Sequence, residues 1–182
     1  MRKTALISTS RHVAYSVAIA AFLAPPALVR AAEESKSDTI GPWEIEATFK
    51  GDTFDRCSIS RKLDDDIVAD FVRSSDGLTL VLSSPNWKLD RGKQYPVKIN
   101  LGPSSWDDQV AAESNSVSID VKDKKFTAGL RTASALSVVG AGATIKVPLD
   151  KSSDAFERLD QCVEKNEKAV QTNPFVAPAR QP

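Results

Sequence analysis

The sequence predicts a mainly β protein with two helices in its C-terminal half, built as an antiparallel β-sandwich or barrel-like sheet in a single domain. Short runs of alternating apolar residues are separated by turn signals about every 8–15 residues, a rhythm typical of antiparallel β-structure. Two later stretches instead repeat apolar residues every three or four positions, as amphipathic helices do. A length of 182 residues fits one domain.

The first 31 residues have the composition of a secretory signal peptide. Arg2, Lys3 and Arg11 give a positive start, and an apolar run of twelve residues follows at 13–24. That run is shorter than the roughly 20 residues that span a bilayer, and small residues then favour cleavage after Ala31. We therefore expect a protein of the periplasm or a secreted protein, without a membrane span after cleavage. An uncleaved membrane anchor is the alternative.

Removal of residues 1–31 changes the charge and the available chemistry. The full chain has 24 basic and 24 acidic residues, and the signal carries four of the basic ones, so the mature chain has a net charge of −4. This charge argues against a nucleic-acid partner. The single histidine, His12, lies in the signal, which excludes histidine-dependent nucleophilic catalysis and histidine-based metal sites. We predict no catalytic residue, no metal site and no cofactor.

The predicted domain runs from Gly41 to about residue 170, between a flexible leader at 32–40 and a proline-rich disordered tail at 171–182. Its strands are predicted at Trp43–Phe49, Phe54–Arg61, Ile67–Arg73, Leu78–Leu82, Tyr95–Leu101, a hairpin of Trp106–Ala112 with Val117–Val121, and Ile145–Leu149. The strand containing Leu78 is expected to be central, and Asp64–Asp66 to form a turn. Pro96 predicts an edge position at its end of a strand.

Two helices are predicted late in the chain. The first is expected over Lys124–Val139, with Gly140 and Gly142 ending it. The second is expected to begin at a cap formed by Ser153 or Asp154 and to continue to about residue 170.

The two cysteines, Cys57 and Cys162, lie in the second predicted strand and the second predicted helix. Two cysteines in an exported chain favour one disulfide bond, which would tie an early strand to a late helix. Two free buried thiols are the alternative.

Two of the three tryptophans are candidates for a binding surface. The clean alternation around Trp43 favours a core position, whereas polar residues flank Trp87 and Trp106. Asp108 is expected on the same strand face as Trp106. The predicted binding surface consists of Trp87, Trp106, Asp108, Lys88 and Arg91, and its expected partner is an envelope or host protein or a glycan.

Three segments resemble the invasion-associated locus B family of exported bacterial proteins. They are Gly41-Pro42-Trp43-Glu44-Ile45, the stretch from Pro85 to Gly92, and the late pattern of helix, strand and helix with Ala155-Phe156 and Leu159. The resemblance spans about Gly41 to Val163, although the middle cysteines usual in that family are absent here. It implies an exported, β-rich domain without established catalytic residues, in a family with some members linked to host-cell invasion.

These observations favour an exported, non-catalytic binding or interaction domain of the bacterial envelope. One alternative is a carboxylate-dependent hydrolase of envelope glycans, which needs two carboxyl groups about 5–10 Å apart across a cleft. Asp108 is the candidate for one of them. The other alternative is an inhibitor of a lytic enzyme.

Overall fold

A computed structural model describes residues 36–171 as ten strands and two helices. The strands are β1 (Lys36–Ile40), β2 (Trp43–Lys50), β3 (Thr53–Lys62), β4 (Val68–Ser74), β5 (Gly77–Ser83), β6 (Gln94–Leu101), β7 (Ser104–Ala112), β8 (Ser116–Val121), β9 (Ala135–Val139) and β10 (Thr144–Pro148). The helices are α1 (Lys124–Thr132) and α2 (Ser152–Gln171). The predicted signal peptide, the first part of the predicted leader and residues 172–182 of the predicted tail lie outside the described residues.

All ten strands belong to one antiparallel sheet in the order β1-β2-β3-β4-β5-β8-β7-β6-β9-β10. In the described part of the chain no ladder joins β1 to β10, so the sheet is open. The predicted fold class, mainly antiparallel β with two helices, is therefore confirmed. β5, the strand predicted to be central, lies between β4 and β8.

One face of the sheet carries the core, and we call it the inner face. Cross-strand partners share a face, and the row of partners Ile45, Ile59, Phe71, Leu80 and Ile119 is buried from β2 to β8. The residues between them along each strand point to the opposite, outer face and are more exposed. This alternation is what the period of two in the sequence predicts.

The two helices pack together, and the longer one covers the inner face of β2, β3 and β4. Phe156 of α2 contacts Phe71 edge-on, with ring centroids 5.0 Å apart. The Ser152 hydroxyl donates to the carbonyl of Leu130 in α1 across a buried 2.7 Å contact. Each fully buried large apolar side chain contributes roughly 1.5–3 kcal/mol. Neither helix has the combination of length and apolar composition that crossing a membrane would need.

A disulfide joins Cys57 in β3 to Cys162 in α2, as predicted. The two Cα atoms are 6.2 Å apart and the cysteines are 105 positions apart in the chain. The Asn166 side chain, one turn further along α2, donates to the Cys162 carbonyl at 2.8 Å. The bond therefore fixes the middle of α2 against the sheet.

The predicted leader is too long, because residues 36–40 form β1 and pair with β2. β1 pairs with β2 on one side and lies at the edge of the described sheet. Its sequence does not show the alternation of large apolar residues by which strands are recognised, so the pattern did not predict it. Its Asp38 carboxylate accepts from Arg158 of α2 at 2.9 and 3.1 Å. Contacts distant in sequence, rather than local pattern, order this segment.

The predicted helix over Lys124–Val139 is also too long. α1 ends at Thr132, where the cap residue Ala133 adopts an extended backbone, and β9 follows. Leu136 and Val138 are buried at alternate positions of β9, as in a strand. Leu136 also lies three residues after Ala133, so it fits the helical spacing on which the prediction was based. Gly140 lies in the turn between β9 and β10 instead of ending a helix.

The position of Pro96 agrees with the edge predicted for its end of the strand. β9 pairs with β6 from Lys98 to Leu101 only, among the described residues. The Pro96 end of β6 therefore has β7 on one side and no strand on the other. An interior strand tolerates proline where a neighbouring ladder has ended.

Candidate functional site

The hairpin of β7 and β8 separates almost as soon as it forms. Within residues 36–171, these strands pair only at Ala111 with Ser118 and at Ala112 with Val117. Beyond that point β7 stays paired with β6 along its whole length, and β8 stays paired with β5. The sheet is thus split in its interior, and we call the opening the β7–β8 cleft.

The backbone of β7 presents to this cleft hydrogen-bonding groups that have no strand partner. The Ala112 amide donates to Lys93, next to β6, and its carbonyl accepts from Gly92, so both groups point toward β6. Successive residues of a strand direct their backbone groups to opposite sides. The amide and carbonyl groups of Asp107 and Gln109 therefore point away from β6 and into the cleft.

A side chain takes the place of the missing strand partner. The Asp108 carboxylate accepts the amide hydrogen of Gln109 at 2.8 Å. In a continuous sheet that amide would donate to a carbonyl of the adjacent strand. Asp108 thus satisfies one of the donors that the separation of the strands exposes.

The inner wall of the cleft is aromatic. Trp106 of β7 and Phe126 of α1 meet edge-on, with ring centroids 5.0 Å apart. α1 starts three residues after β8, and its cap Asp123 accepts the amides of Lys125 and Phe126 at 2.7 and 3.0 Å. This cap fixes the start of α1, from which Phe126 reaches the ring of Trp106.

The outer wall of the cleft carries two exposed ion pairs. Asp107 and Asp120 lie on the outer face, and each has an exposed lysine partner: Lys98 is 2.8 Å from Asp107, and Lys122 is 3.2 Å from Asp120. Exposed ion pairs such as these contribute roughly 0–1 kcal/mol and exchange readily with water or another charge. Four carboxylates and one ammonium group line the cleft, a formal charge of −3, namely Asp107, Asp108, Asp120, Asp123 and Lys122.

The cleft holds about 500 Å³ and is open to solvent. A volume of this size is within the range of sites that bind small ligands or a few residues of a peptide. Its chemistry is mixed: an apolar floor of Ile99, Ile119 and the two aromatic rings, a carboxylate rim and a free strand edge. Such an arrangement suits an extended ligand with polar backbone groups.

The structure does not bring the five predicted surface residues together. Trp106 and Asp108 line the β7–β8 cleft and share the inner face, as expected. Trp87 lines a different opening, described below. Arg91 is exposed and pairs with Glu113 at 2.8 Å, and Lys88 is exposed on the segment between β5 and β6. Trp43, predicted as core, is fully buried and donates through Nε1 to the Asp150 carbonyl at 2.8 Å.

Trp87 belongs to a second, apolar opening of about 320 Å³, the Trp87 pocket. Inner-face side chains of β5 to β10 and the β9–β10 turn line it, including Leu82, Tyr95, Val117 and Ile145. None of its described lining residues is charged. It differs in chemistry from the β7–β8 cleft and provides an internal comparison for binding experiments.

No group of three or more His, Cys, Asp or Glu side chains in residues 36–171 is arranged to hold a metal ion. The carboxylates of the β7–β8 cleft are engaged by an ammonium group, by the start of α1 or by the Gln109 amide. Their chemistry fits recognition of a cation or of amide hydrogens.

No family model matches this chain, and no curated protein and no solved structure matches it significantly. The resemblance to the invasion-associated locus B family thus stays a prediction.

Sequence reasoning missed the roles of Gln109, Asp120 and Phe126. Gln109 becomes informative only when the separation of β7 from β8 is known, because the group that lacks a strand partner is its backbone amide. The helical spacing that includes Phe126 predicts a helix, but the contact of this buried ring with Trp106 depends on tertiary structure. The pair Asp107-Asp108 was a visible signal, since two adjacent carboxylates on a strand necessarily face both sides of the sheet.

Proposed function

We propose that this chain is an exported, non-catalytic binding domain of the bacterial envelope, active in the periplasm or as a secreted protein. Its partner, an envelope or host protein or a glycan, occupies the β7–β8 cleft. The observation that carries the proposal is the split in the interior of the sheet, which leaves a strand edge unpaired above an aromatic floor. The disulfide supports a location in an oxidising compartment, and the family resemblance supports a location in the bacterial envelope.

Site-specific photocrosslinking tests this proposal. A photoreactive phenylalanine analogue replaces Gln109 in the cleft or, as the matched control, Asp76 in the exposed turn between β4 and β5. The purified proteins are incubated with native envelope extract, irradiated and analysed by mass spectrometry. We expect a discrete product from position 109 that is absent at position 76.

The same experiment distinguishes the β7–β8 cleft from the Trp87 pocket. A third protein carries the analogue at Trp87. Crosslinks from position 87 but not from 109 would move the binding function to the Trp87 pocket, and crosslinks from neither would contradict a binding role for these openings.

A carboxylate-dependent glycan hydrolase is the competing function. It is favoured by one observation, because Asp108 shares a cleft with Asp120 and Asp123. A hydrolase would release reducing ends from purified envelope glycans, and Asp108→Asn would abolish that release. The inhibitor alternative is tested by adding the protein to a lysozyme assay. Inhibition of lysozyme would identify the partner as a lytic enzyme and would replace the proposal of an envelope partner.

A further inference from the structure

We propose that the β7–β8 cleft receives an extended peptide segment in which basic and apolar residues alternate, and that this segment adds to the free edge of β7 as an extra strand. The inference rests on the binding function proposed above and specifies the chemistry of the partner. Strand addition to an exposed sheet edge is a recurrent mode of peptide recognition, in which backbone hydrogen bonds supply affinity and alternate side chains supply specificity.

The free edge is long enough for such a segment. Seven positions of β7, Ser104 to Val110, precede its pairing with β8. At about 3.3 Å per residue they extend roughly 20 Å. The backbone groups of Asp107 and Gln109 face this edge, and those of Ser105 follow the same alternation. A peptide of five to seven residues matches this edge.

The two walls of the cleft determine which side chains the peptide should carry. A strand added to β7 alternates its side chains between the inner and the outer face. On the inner face they would meet Trp106, whose ring contacts Phe126, and the exposed Asp108 carboxylate. On the outer face they would meet the carboxylates of Asp107 and Asp120, whose lysine partners are exposed. Apolar residues facing inward and lysine or arginine facing outward complement both walls.

Asp108 has a defined part in this exchange. In the free protein its carboxylate accepts the Gln109 amide. A peptide carbonyl would take over that hydrogen bond, because strand pairing places an acceptor opposite each free amide. The carboxylate is then released.

The acidic rim also argues against a second copy of this chain as the occupant. Two β7 edges paired with each other would bring Asp107 and Asp108 of both copies close together. Like charges on adjacent strands destabilise pairing, and inward or edge charges commonly protect exposed strands from self-association. A basic partner meets no such repulsion.

The first test uses two fluorescein-labelled octapeptides, acetyl-KVKVKVKV-amide and acetyl-EVEVEVEV-amide, with binding followed by fluorescence anisotropy. We expect the lysine peptide to bind and the glutamate peptide not to bind. The double variant Asp107→Lys/Asp120→Lys should weaken lysine-peptide binding about tenfold or more, since several exposed charge interactions are reversed. The control Asp64→Lys/Asp76→Lys makes the same charge change in two exposed turns and should bind like wild type.

The second test distinguishes strand addition from simple charge attraction. Two versions of the lysine peptide carry backbone N-methyl groups, on all lysines or on all valines. Only one of these sets has its amides facing β7, so one peptide should lose binding and the other should keep it. Equal binding of both would overturn the inference, as would loss of both with the plain peptide still bound.

The outcomes separate this inference from the proposed function. Absence of peptide binding, with crosslinks from position 109 to a glycan or to another partner, overturns the inference and leaves the cleft as a binding site. Absence of both overturns the two together. Sedimentation of the protein alone provides a final check, because a dimer that the Asp107→Lys/Asp120→Lys change disrupts would make a second copy the occupant and overturn the inference.

Discussion

Replacing Asp70 by asparagine should stabilise this protein at neutral pH and remove part of the pH dependence of its stability. Asp70 lies in β4 on the outer face, where its cross-strand partners are Ser60 and Val81. Its Oδ1 atom is buried without a hydrogen-bond partner. Burial raises the pKa of Asp70 from 3.8 to about 6 and outweighs the nearby Arg56, which lowers it, while Glu46 raises it further.

The direction of the effect follows from proton binding. Between about pH 4 and pH 6 the folded state keeps the Asp70 proton that the unfolded state has lost, so stability falls as pH rises through this range. A difference of about two pKa units corresponds to about 3 kcal/mol. Asp70→Asn should therefore be more stable than wild type by up to about 3 kcal/mol at pH 8, and of similar stability at pH 4.

Urea unfolding followed by tryptophan fluorescence at pH 4, 6 and 8 measures this difference. For a domain of this size, each kcal/mol also corresponds to about 2–4 °C in Tm. The control is Asp76→Asn, which changes an exposed turn carboxylate and should show no pH-dependent difference from wild type. A constant difference between Asp70→Asn and wild type across the three pH values would refute the reasoning.

Three further predictions concern stability. Replacing both Cys57 and Cys162 by serine should cost about 4–5 kcal/mol of unfolding free energy, because the bond closes a loop of about 100 residues in the unfolded chain. Gly129→Ala should destabilise the protein by about 1–3 kcal/mol, although alanine favours helices, because the new Cβ would lie 2.7 Å from Leu101 Cδ2. Arg61→Lys should cost about 1–2 kcal/mol of unfolding free energy. The largely buried Arg61 guanidinium donates to the Pro148 carbonyl at 2.6 Å and to the Asp150 carboxylate at 2.8 Å, and lysine cannot reproduce both bonds in the same geometry.

Each of these three changes has its own comparison. Reduction of the wild type with dithiothreitol should reproduce the loss seen in the serine double variant, and an unchanged urea midpoint would contradict the prediction. Ala128→Gly on the same helix is the control for Gly129→Ala, and it should cost about 1 kcal/mol of unfolding free energy. A Gly129→Ala variant more stable than wild type would contradict the prediction, because it would show that Leu101 moves away from the new Cβ. Lys62→Arg tests the arginine–lysine difference at an exposed neighbour of Arg61, and equal stability of Arg61→Lys and wild type would refute the role given to that guanidinium.

Much of the fold could be predicted from the sequence, because most of its strands are amphipathic. The inner-face residues of β2 alternate with polar ones, and those of β5 and β6 do so except at Val81 and Pro96. The turn at Asp64–Asp66 combines residues that adopt positive φ, 57° at Asp65 and 55° at Asp66. Prediction failed where local pattern was ambiguous. In β9, Leu136 continues the helical spacing of Phe126, Leu130 and Ala133, and β1 has too few apolar residues to be recognised.

The candidate site was only half predictable. Trp106 and Asp108 could be paired from strand alternation alone, because residues two apart share a face. The distance between Trp106 and Trp87, however, depends on the sheet order, in which β8 and β7 stand between β5 and β6. The cleft itself is a place where two consecutive strands do not pair, and the sequence pattern of a hairpin contains no signal for that.

Amide hydrogen exchange along β7 tests the central claim most directly, that this strand has a free edge inside the sheet. In the free protein the amides of Trp106, Asp108 and Val110 face β6 and should be strongly protected. The amides of Asp107 and Gln109 face the cleft. The Asp107 amide should exchange about 100-fold faster or more, as solvent-exposed groups do, and the Gln109 amide, which donates to the exposed Asp108 carboxylate, should exchange at an intermediate rate. Uniform protection of all five amides would show that β7 is paired on both sides and would contradict the claim.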